Sequence, residues 1–342
     1  MINVAVIGYG YWGPNLLRNF ADCPRTSVSA VSDFREHRLQ AAARRYPAVR
    51  TSTDANAIIN DEGIDAIAIA TPVESHFELA LAAIRAGKHV LVEKPMTQSA
   101  DQARQLVAEA EKAGTVLMVD HTFVYTGAVQ KIRELVDSGE LGDIYYYDSS
   151  RINLGLFQHD VDVVWDLAVH DFAILDYIFD EHPVAVAAHG ISHVRGRPEN
   201  LAYVTVFFAS GAVAHFNVNW LAPVKLRRTL IGGSNKMIVY DDLERDEKIK
   251  IYDKGITTSE DPGEIYRMRI GYRVGDVWSP QLDRTEALKR EVDHFVDCIE
   301  NGTPVKTGGD MGLRVVEMLE AATTSMRNRG RPVELAASEV TT

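Results

Sequence analysis

MINVAVIGYGYWG, residues 1–13, places a short apolar run directly before a glycine-rich turn. The run at 2–7 has the length and composition of a buried strand. The three glycines of the turn have the spacing G-x-G-x-x-G and are Gly8, Gly10 and Gly13. Pro14 suits the first turn of a helix, so the pattern predicts a helix over 14–20. A strand, this turn and a helix in succession predict a site for a dinucleotide, with its pyrophosphate at the helix N-terminus.

Short apolar runs continue to alternate with segments of helical composition up to about residue 120. The further runs are 28–32, 66–70, 89–92 and 116–119. Gly87 and Gly114 stand where glycines that end helices belong. Because strands that alternate with helices form parallel sheets covered on both faces, residues 1–120 are predicted to form an α/β, doubly wound Rossmann domain.

From residue 121 onward, successive strands have few helices between them. Strands are predicted at 144–151, 184–192, 203–209, 213–219, 225–232, 236–241 and 248–252, and helices at 127–138, 285–300 and 311–328. Their short turns predict a C-terminal α+β domain, 121–342, with a large open, mainly antiparallel sheet. Because such a sheet leaves one face to cover, we expect a homo-oligomer, a dimer or tetramer.

An acidic residue ends the second predicted strand, 20 residues after Gly13. This residue, Asp33, is expected to accept hydrogen bonds from the adenosine ribose hydroxyls. A carboxylate there repels a 2′-phosphate, which favours NAD over NADP. Arg35 and Arg38 are near enough in sequence to keep NADP as the less favoured alternative, although a solvated helix position explains them as simply.

The most apolar helical segment is WDLAVHDFAILDYI, residues 165–178, and it carries ionisable side chains. Asp166 and His170 are four residues apart, which places them on one face of a helix. Buried ionisable groups are costly unless they are paired, so these two form either a satisfied core network or a site. Asp171 is predicted to point away from them and to be structural.

A lysine follows the strand VLVE at 90–93 and precedes Pro95. Ligands of doubly wound sheets bind at the carboxyl ends of the strands, which is where Lys94 lies. Pro95 restricts the residue before it to extended geometry and so fixes the direction of Lys94. A solvated lysine at a strand end is the alternative interpretation.

Together these segments resemble the Gfo/Idh/MocA family of NAD(P)-dependent oxidoreductases. The resemblance rests on GYGYWG at 8–13, ATPVESH at 70–76, VEKP at 92–95 and the spacing Asp166-x-x-x-His170. It extends over nearly the whole chain, including the order of the two domains. It implies that Lys94, Asp166 and His170 are the catalytic residues and meet at the nicotinamide.

Residues within and beside these segments extend the set of candidate site residues. Candidates for cofactor binding, besides the three glycines, Asp33, Arg35 and Lys94, are Tyr11, Trp12, Thr71, Pro72, His76 and Glu93. Weaker candidates for substrate binding are His121, Tyr125, Arg151, Asn153 and Gln158. For these, a core histidine, a packing tyrosine or ordinary loop polarity is an equally good interpretation. The Asp and His residues show no spacing that requires a metal.

These residue types suit the oxidation of a secondary alcohol. Histidine accepts a proton readily near neutral pH, which makes His170 the candidate general base. The Lys94 ammonium would stabilise the developing alkoxide. Asp166 could orient the lysine or the imidazole through a hydrogen bond.

The resemblance specifies the type of reaction but not the substrate, because members of the family act on many sugars, polyols and sugar derivatives. The leading hypothesis is a nucleotide-linked hexose that reacts at C3, and a free sugar or a cyclitol such as an inositol is the alternative. Possible partners of a sugar-nucleotide diphosphate are Arg151, Lys225, Arg227 and Arg228, although KLRR at 225–228 is more typical of a solvated strand edge. Two other classes stay open, an NAD-dependent glycosidase and a cofactor-binding regulator without turnover, although intact Lys94, Asp166 and His170 argue against a regulator.

Charge and composition exclude several other partners. The formal net charge is −12 and no basic run occurs, which argues against nucleic acid and anionic membranes. No apolar run approaches the roughly 20 residues that span a bilayer. Cys23 and Cys298 are far apart and fit no metal or redox motif, so we expect a reduced, cytoplasmic location.

Overall fold

The computed structural model describes residues 1–155, 161–257 and 271–336, so the candidate Gln158 lies outside the described residues. The chain divides into two compact units. The first unit contains residues 1–126 and 285–320, and the second contains 127–284 and the residues from 321 onward. The predicted division at residue 121 assigned 285–320 to the second domain, whereas the structure places this segment with the N-terminal residues.

The described helices and strands follow the predicted order. The α-helices are α1 (Gly13–Asp22), α2 (Glu36–Arg45), α3 (Ala55–Ile59), α4 (His76–Arg85), α5 (Ala100–Ala113), α6 (Gly127–Asp137), α7 (Val169–Ile178), α8 (Ala287–Asn301) and α9 (Gly309–Arg327). The strands of the first unit are β1 (Ile2–Ile7), β2 (Thr26–Ser32), β3 (Arg50–Ser52), β4 (Ala66–Ile69), β5 (His89–Glu93) and β6 (Leu117–Asp120). Of these, β3 was not predicted, because three exposed or half-buried residues, RTS, carry no apolar signal.

The first unit contains the predicted doubly wound sheet. Its strands have the order β3-β2-β1-β4-β5-β6, and each neighbouring pair is parallel. The strand order reverses between the neighbouring strands β1 and β4, and ligands of such sheets bind at this reversal. The central strands β1, β4 and β5 are almost entirely buried, as expected of a sheet with helices on both faces.

The second unit contains a larger mixed sheet. Its strands are β7 (Ile144–Leu154), β8 (Pro183–Ile191), β9 (Leu201–Phe208), β10 (Val213–Asn219), β11 (Leu221–Gly233), β12 (Met237–Asp241), β13 (Ile249–Tyr252), β16 (Val277–Trp278) and β17 (Val333–Glu334), and a separate short pair is β14 (Gly255–Thr257) with β15 (Gly271–Arg273). Among the described strands of this larger sheet, β7 and β10 pair in parallel and the other neighbours are antiparallel, so the prediction of a mainly antiparallel sheet is confirmed.

Side chains alternate between the two faces of this sheet. Val204 and Phe216 are buried on one face. On the other, Tyr203 and His215 stack with their ring centroids 6.1 Å apart, and Tyr203 is exposed. The alternation is typical of a sheet whose core covers one face. Among the described residues, no helix is both long and apolar enough to cross a membrane.

Candidate active site

The glycine-rich turn after β1 has backbone requirements that only glycine meets. Gly8 has φ 97°, and a Cβ there would lie 2.6 Å from the carbonyl carbon of Ala70. A Cβ on Gly13 would lie 1.9 Å from the carbonyl oxygen of Gly8. By contrast, the nearest atom to a Cβ on Gly10 is Nη2 of Arg35, 3.6 Å away. The fold therefore requires Gly8 and Gly13, whereas Gly10 leaves room for a ligand against its backbone.

The predicted ribose-binding carboxylate lies at the end of β2 and is held by its neighbours. Asp33 accepts hydrogen bonds from the backbone N–H of Tyr9 at 2.8 Å and from Nε and Nη2 of Arg35, both at 2.9 Å. Burial acts to raise the pKa of Asp33, but the hydrogen bonds from Arg35 and Tyr9 outweigh it and lower the pKa. Asp33 is therefore an ionised acceptor, and the Arg35 side chain folds onto it.

The residues of this turn fit a dinucleotide. The N-terminus of α1 follows the turn, a Cβ on Gly10 would meet no non-neighbouring atom of the described residues closer than 3.6 Å, and a carboxylate ends the adjacent strand. Trp12 occupies the N-cap of α1, and Tyr11 is exposed. The next loop, Thr71-Pro72, approaches Gly8, because Cγ2 of Thr71 lies 2.9 Å from the position of a Gly8 Cβ. These are the positions where a pyrophosphate and ribose bind in doubly wound sheets.

His76, at the start of α4, joins two loops of the site. Its Nε2 lies 2.8 Å from the carbonyl oxygen of Thr71, and its Nδ1 lies 2.9 Å from that of Pro95. Burial lowers the pKa of His76, and the two carbonyl contacts oppose this effect. The imidazole therefore fixes the position of the Lys94-Pro95 segment, whose peptide bond is cis. A contact of His76 with the cofactor stays a prediction.

Lys94 follows β5 at the carboxyl edge of the sheet, as predicted, and is half-buried. Its neighbour Glu93 ends β5 directly opposite Asp120, which ends β6. Burial raises the pKa of Glu93 well above its usual range, and the charge of Asp120 raises it further, whereas Lys94 opposes the shift. Glu93 therefore keeps a proton to a higher pH than an exposed glutamate does.

Asp120 is the centre of a buried polar cluster. Its two carboxylate oxygens accept hydrogen bonds from the indole N–H of Trp12 and from the hydroxyl of Thr122. Glu291 of α8 is fully buried, and burial together with the charge of Asp120 raises the pKa of Glu291 well above its usual range. The cluster connects the glycine-rich turn, through Trp12, to the ends of β5 and β6. Neither Asp120 nor Glu291 was singled out from the sequence.

His121 and Tyr125 follow β6 and are both buried. Neither ring nitrogen of His121 has a hydrogen-bond partner among the described residues. Burial, assisted by the charge of Lys94, lowers the pKa of His121 to about 3, so this imidazole is neutral at physiological pH. The hydroxyl of Tyr125 lies 3.0 Å from that of Thr307. Tyr125 therefore has a partner within the first unit, and a role of either residue in substrate binding stays a prediction.

In the second unit, the helix that carries Asp166 and His170 begins with a π-helical turn, Val164–Ala168, before α7. Oδ1 of Asp162 accepts hydrogen bonds from the backbone N–H groups of Val164 at 2.8 Å and Trp165 at 3.1 Å. Asp162 therefore satisfies the first donors of the turn. The π turn was not predicted, and such turns occur frequently at functional sites.

Asp166 has a partner that the sequence did not indicate. The indole Nε1 of Trp220 donates a hydrogen bond to Oδ2 of Asp166 at 3.0 Å. Trp220 lies between β10 and β11 and is 1% exposed. Asp166 and His170 are both half-buried, which leaves part of each side chain accessible.

Arg151 and Asn153 lie on β7, two residues apart and therefore on the same face. Arg151 is buried and pairs with Asp171 of α7, at 2.7 Å from Nε to Oδ2 and 2.9 Å from Nη2 to Oδ1. This pair gives Asp171 the predicted structural role and Arg151 a protein partner. Of the candidate diphosphate partners on β11, Arg227 contacts Asp242 at 3.2 Å, and Lys225 and Arg228 are exposed.

Within the described residues, no group of three or more His, Cys, Asp or Glu side chains is arranged to hold a metal ion. Both cysteines are buried free thiols.

Comparison with known proteins identifies the family. The model of the oxidoreductase family NAD-binding Rossmann fold matches residues 2–121, and the model of the same family's C-terminal alpha/beta domain matches residues 133–335. The chain belongs to the Gfo/Idh/MocA family. Members of this family are oxidoreductases, so the predicted enzyme class and the NAD-binding Rossmann unit are confirmed.

Relatives of this Gfo/Idh/MocA chain match it over almost its whole length. It is 26% identical to scyllo-inositol 2-dehydrogenase (NAD(+)) of Bacillus subtilis (strain 168), over 98% of the chain and 96% of the relative. The solved structure of UDP-N-acetylglucosamine 3-dehydrogenase from Acidithiobacillus ferrooxidans has a TM-score of 0.82 at 25% identity and covers 96% of this chain and 98% of that one. GenD2 from gentamicin A biosynthesis, solved in complex with NAD, has a TM-score of 0.81 at 26% identity and covers 98% and 97%. Its relatives therefore include sugar and cyclitol dehydrogenases.

Proposed function

We propose that this oxidoreductase transfers a hydride between NAD and a secondary alcohol of a nucleotide-linked hexose, with C3 as the reacting carbon. The main support for a dehydrogenase is that all three candidate catalytic residues are present and lie in or next to regular secondary structure. Lys94 follows β5, Asp166 lies in the π turn, and His170 lies in the first turn of α7. A regulator without turnover would not need these three groups.

The proposed roles follow from the chemistry of alcohol oxidation. NAD, when bound, supplies the acceptor for the hydride that leaves the substrate carbon. His170 takes the hydroxyl proton, and the Lys94 ammonium stabilises the alkoxide as the C–H bond breaks and the carbonyl forms. Asp166 orients the proton-transfer groups through its carboxylate. In the first unit, Asp33 accepts hydrogen bonds from the ribose hydroxyls, and its negative charge disfavours the 2′-phosphate of NADP.

The substrate class rests on the relatives. The full-length similarity to UDP-N-acetylglucosamine 3-dehydrogenase, at a TM-score of 0.82, supports a nucleotide-linked hexose and C3. The exposed side chains of Lys225 and Arg228 on β11 provide positive charge for a diphosphate. The similarity to scyllo-inositol 2-dehydrogenase keeps a cyclitol as the second candidate. Homo-oligomerisation and a cytoplasmic location stay predictions.

The test is a substrate panel read by the absorbance of reduced nicotinamide. UDP- and TDP-hexoses, free hexoses and inositols are offered with NAD, and separately with NADP. The same panel is run with Lys94→Ala and with Lys112→Ala, an exposed lysine of α5 in the same unit.

We expect NADH to accumulate with one or more nucleotide sugars. Lys94→Ala should lower the rate by about 100-fold or more, the usual loss when a group that stabilises an oxyanion is removed. Lys112→Ala should stay within about twofold of the wild type. Turnover of inositols in preference to nucleotide sugars would reject the substrate class. NAD binding without oxidation of any member of the panel, and without reduction of the matching ketones by NADH, would reject the dehydrogenase.

A further inference from the structure

Trp220 is a buried indole with a charged partner. Its side chain is 1% exposed, and its N–H donates to Oδ2 of Asp166 at 3.0 Å. A buried indole N–H requires an acceptor, because leaving it without one costs the full desolvation of the group. A carboxylate is the strongest acceptor that a side chain offers, so this hydrogen bond is charge-assisted.

The indole is held by the second unit independently of Asp166. The backbone N–H of Trp220 donates to the carbonyl oxygen of Asn200 at 3.0 Å, and its carbonyl oxygen accepts from Gly155 at 3.1 Å. A Cβ at residue 155 would lie 2.5 Å from Cδ1 of the indole, so the ring packs directly on the Gly155 backbone. Trp220 is therefore a fixed point to which the carboxylate of Asp166 is attached.

The main chain around Asp166 is fixed by a second set of contacts. Asp162 caps the π turn through Val164 and Trp165, and the backbone N–H of Asp166 donates to the carbonyl oxygen of Asp162 at 3.2 Å. The indole of Trp165 donates to the hydroxyl of Thr323 at 2.9 Å. These contacts place the main chain of the turn and do not involve the carboxylate of Asp166. The bond from Trp220 gives Oδ2 of that carboxylate a fixed donor.

We infer that Trp220 is a positioning residue for the reaction, and that it acts by fixing the carboxylate of Asp166. This inference rests on the proposed function, since it assigns Trp220 to the same site. The competing explanation is that Asp166 is present only to satisfy the indole of Trp220. The two explanations differ in whether the effect of Trp220 on the reaction depends on Asp166.

A double-mutant cycle separates them. Trp220→Phe keeps an aromatic ring and removes the N–H, and Asp166→Asn removes the charge of its partner. Both single variants, the double variant and the wild type are compared by kcat, KM and the dissociation constant of NAD. Trp165→Phe is the matched control, because it removes an indole N–H that is bonded to a hydroxyl in the same unit.

We expect Trp220→Phe to lower kcat by about 10-fold in the wild-type background and by less than about twofold in the Asp166→Asn background. NAD affinity should not change, because no contact of the first unit is altered. Trp165→Phe should reduce kcat by the same factor in both backgrounds. Equal factors for Trp220→Phe in both backgrounds, or an unchanged kcat in that variant, would overturn the inference.

A spectroscopic measurement covers the case in which Trp220→Phe folds poorly. The chain has four tryptophans, and their indole N–H signals are resolved and assigned by ¹⁵N labelling and the Trp→Phe variants. Asp166→Asn should move the signal of Trp220 and leave that of Trp165 in place. An unchanged Trp220 signal would overturn the inference. If that signal moves but the wild type oxidises nothing, the proposed function fails while the link between the two side chains stands.

Discussion

Arg151 and Asp171 form a buried, bidentate ion pair that attaches α7 to β7. The two hydrogen bonds measure 2.7 and 2.9 Å, and neither side chain is more than 4% exposed. The pair includes Asp171, which directly follows His170 in the sequence. It therefore restrains the helix that carries two of the three proposed catalytic groups, and Arg151 is a structural partner of that helix.

Removing one member of this pair should destabilise the protein strongly. Asp171→Asn leaves the guanidinium of Arg151 buried beside a neutral amide, and the expected loss is about 3–5 kcal/mol in the free energy of unfolding. The double variant Arg151→Met with Asp171→Leu should regain most of that loss, because it buries no charge. Chemical denaturation measures both values. A loss below about 1 kcal/mol in the single variant would contradict the structural role of the pair.

Asp162, the buried carboxylate that caps the π turn, should make the free energy of unfolding depend on pH. Burial raises the pKa of Asp162 from 3.8 to about 6, although the N–H groups of Trp165 and Val164 oppose the shift. As the pH rises from 4 to 6, the unfolded chain therefore loses this proton before the folded protein does. The free energy of unfolding falls by roughly 3 kcal/mol across that window and receives no further contribution above it.

Asp162→Asn should remove this dependence, because the amide oxygen can accept both hydrogen bonds without titrating. The free energy of unfolding of the variant minus that of the wild type should increase by roughly 3 kcal/mol from pH 4 to pH 7.5, because only the wild type loses this contribution. Asp54→Asn is the control, since Asp54 caps α3 in the same way but is exposed. A difference that stays constant with pH at Asp162 would contradict the buried assignment.

Cofactor preference should change in opposite directions at two neighbouring residues. Asp33→Ser removes a carboxylate that repels the 2′-phosphate of NADP and accepts hydrogen bonds from the ribose hydroxyls of NAD. The ratio of NADP to NAD turnover should therefore rise at least about tenfold. Arg35→Ala removes the guanidinium that contacts Asp33 and with it a positive charge that would attract the 2′-phosphate, so that ratio should fall. The measurement is kcat/KM for each cofactor at a fixed substrate concentration. A lower ratio in Asp33→Ser would contradict the assignment of Asp33.

His121 should not titrate during catalysis. Its pKa is lowered to about 3, so the imidazole stays in its neutral form above about pH 5. His121→Asn is expected to keep the shape of the pH dependence of kcat/KM between pH 5 and 9. His170→Asn should lower the rate by about 100-fold or more, because it removes the proposed general base. The loss of a limb of the profile in His121→Asn would show that His121 is the titrating group instead.

The parts of the site that depend on local pattern were predictable. Gly8 and Gly13 are required by the turn itself, and Asp33 lies at a fixed distance along the chain, so a short segment contains the whole signal. The doubly wound sheet and the mainly antiparallel sheet were likewise predictable, because strand periodicity is local. Lys94 could be placed because the carboxyl end of a parallel strand is a predictable position.

The parts that depend on tertiary contact were not predictable. Trp220 and Asp166 are 54 residues apart, and no periodicity relates a residue between two strands to a helix. The π turn before α7 could not be recognised from the sequence, because one extra residue per turn does not change the apolar composition of the segment. Glu291 did leave a signal, since it lies three residues after Leu288 on the buried face of α8. A carboxylate in an apolar stripe indicates a buried polar cluster.

The central claim is that a hydride passes from a sugar carbon to NAD. The most direct measurement supplies UDP-N-acetylglucosamine deuterated at C3, together with NAD, and examines the nicotinamide for deuterium at C4 by mass spectrometry and NMR. We predict deuterated NADH with the wild type and with Lys112→Ala, and at least about 100-fold less with Lys94→Ala in the same time. Deuterium that stays on the sugar, or that is lost to solvent without entering the nicotinamide, would contradict the claim.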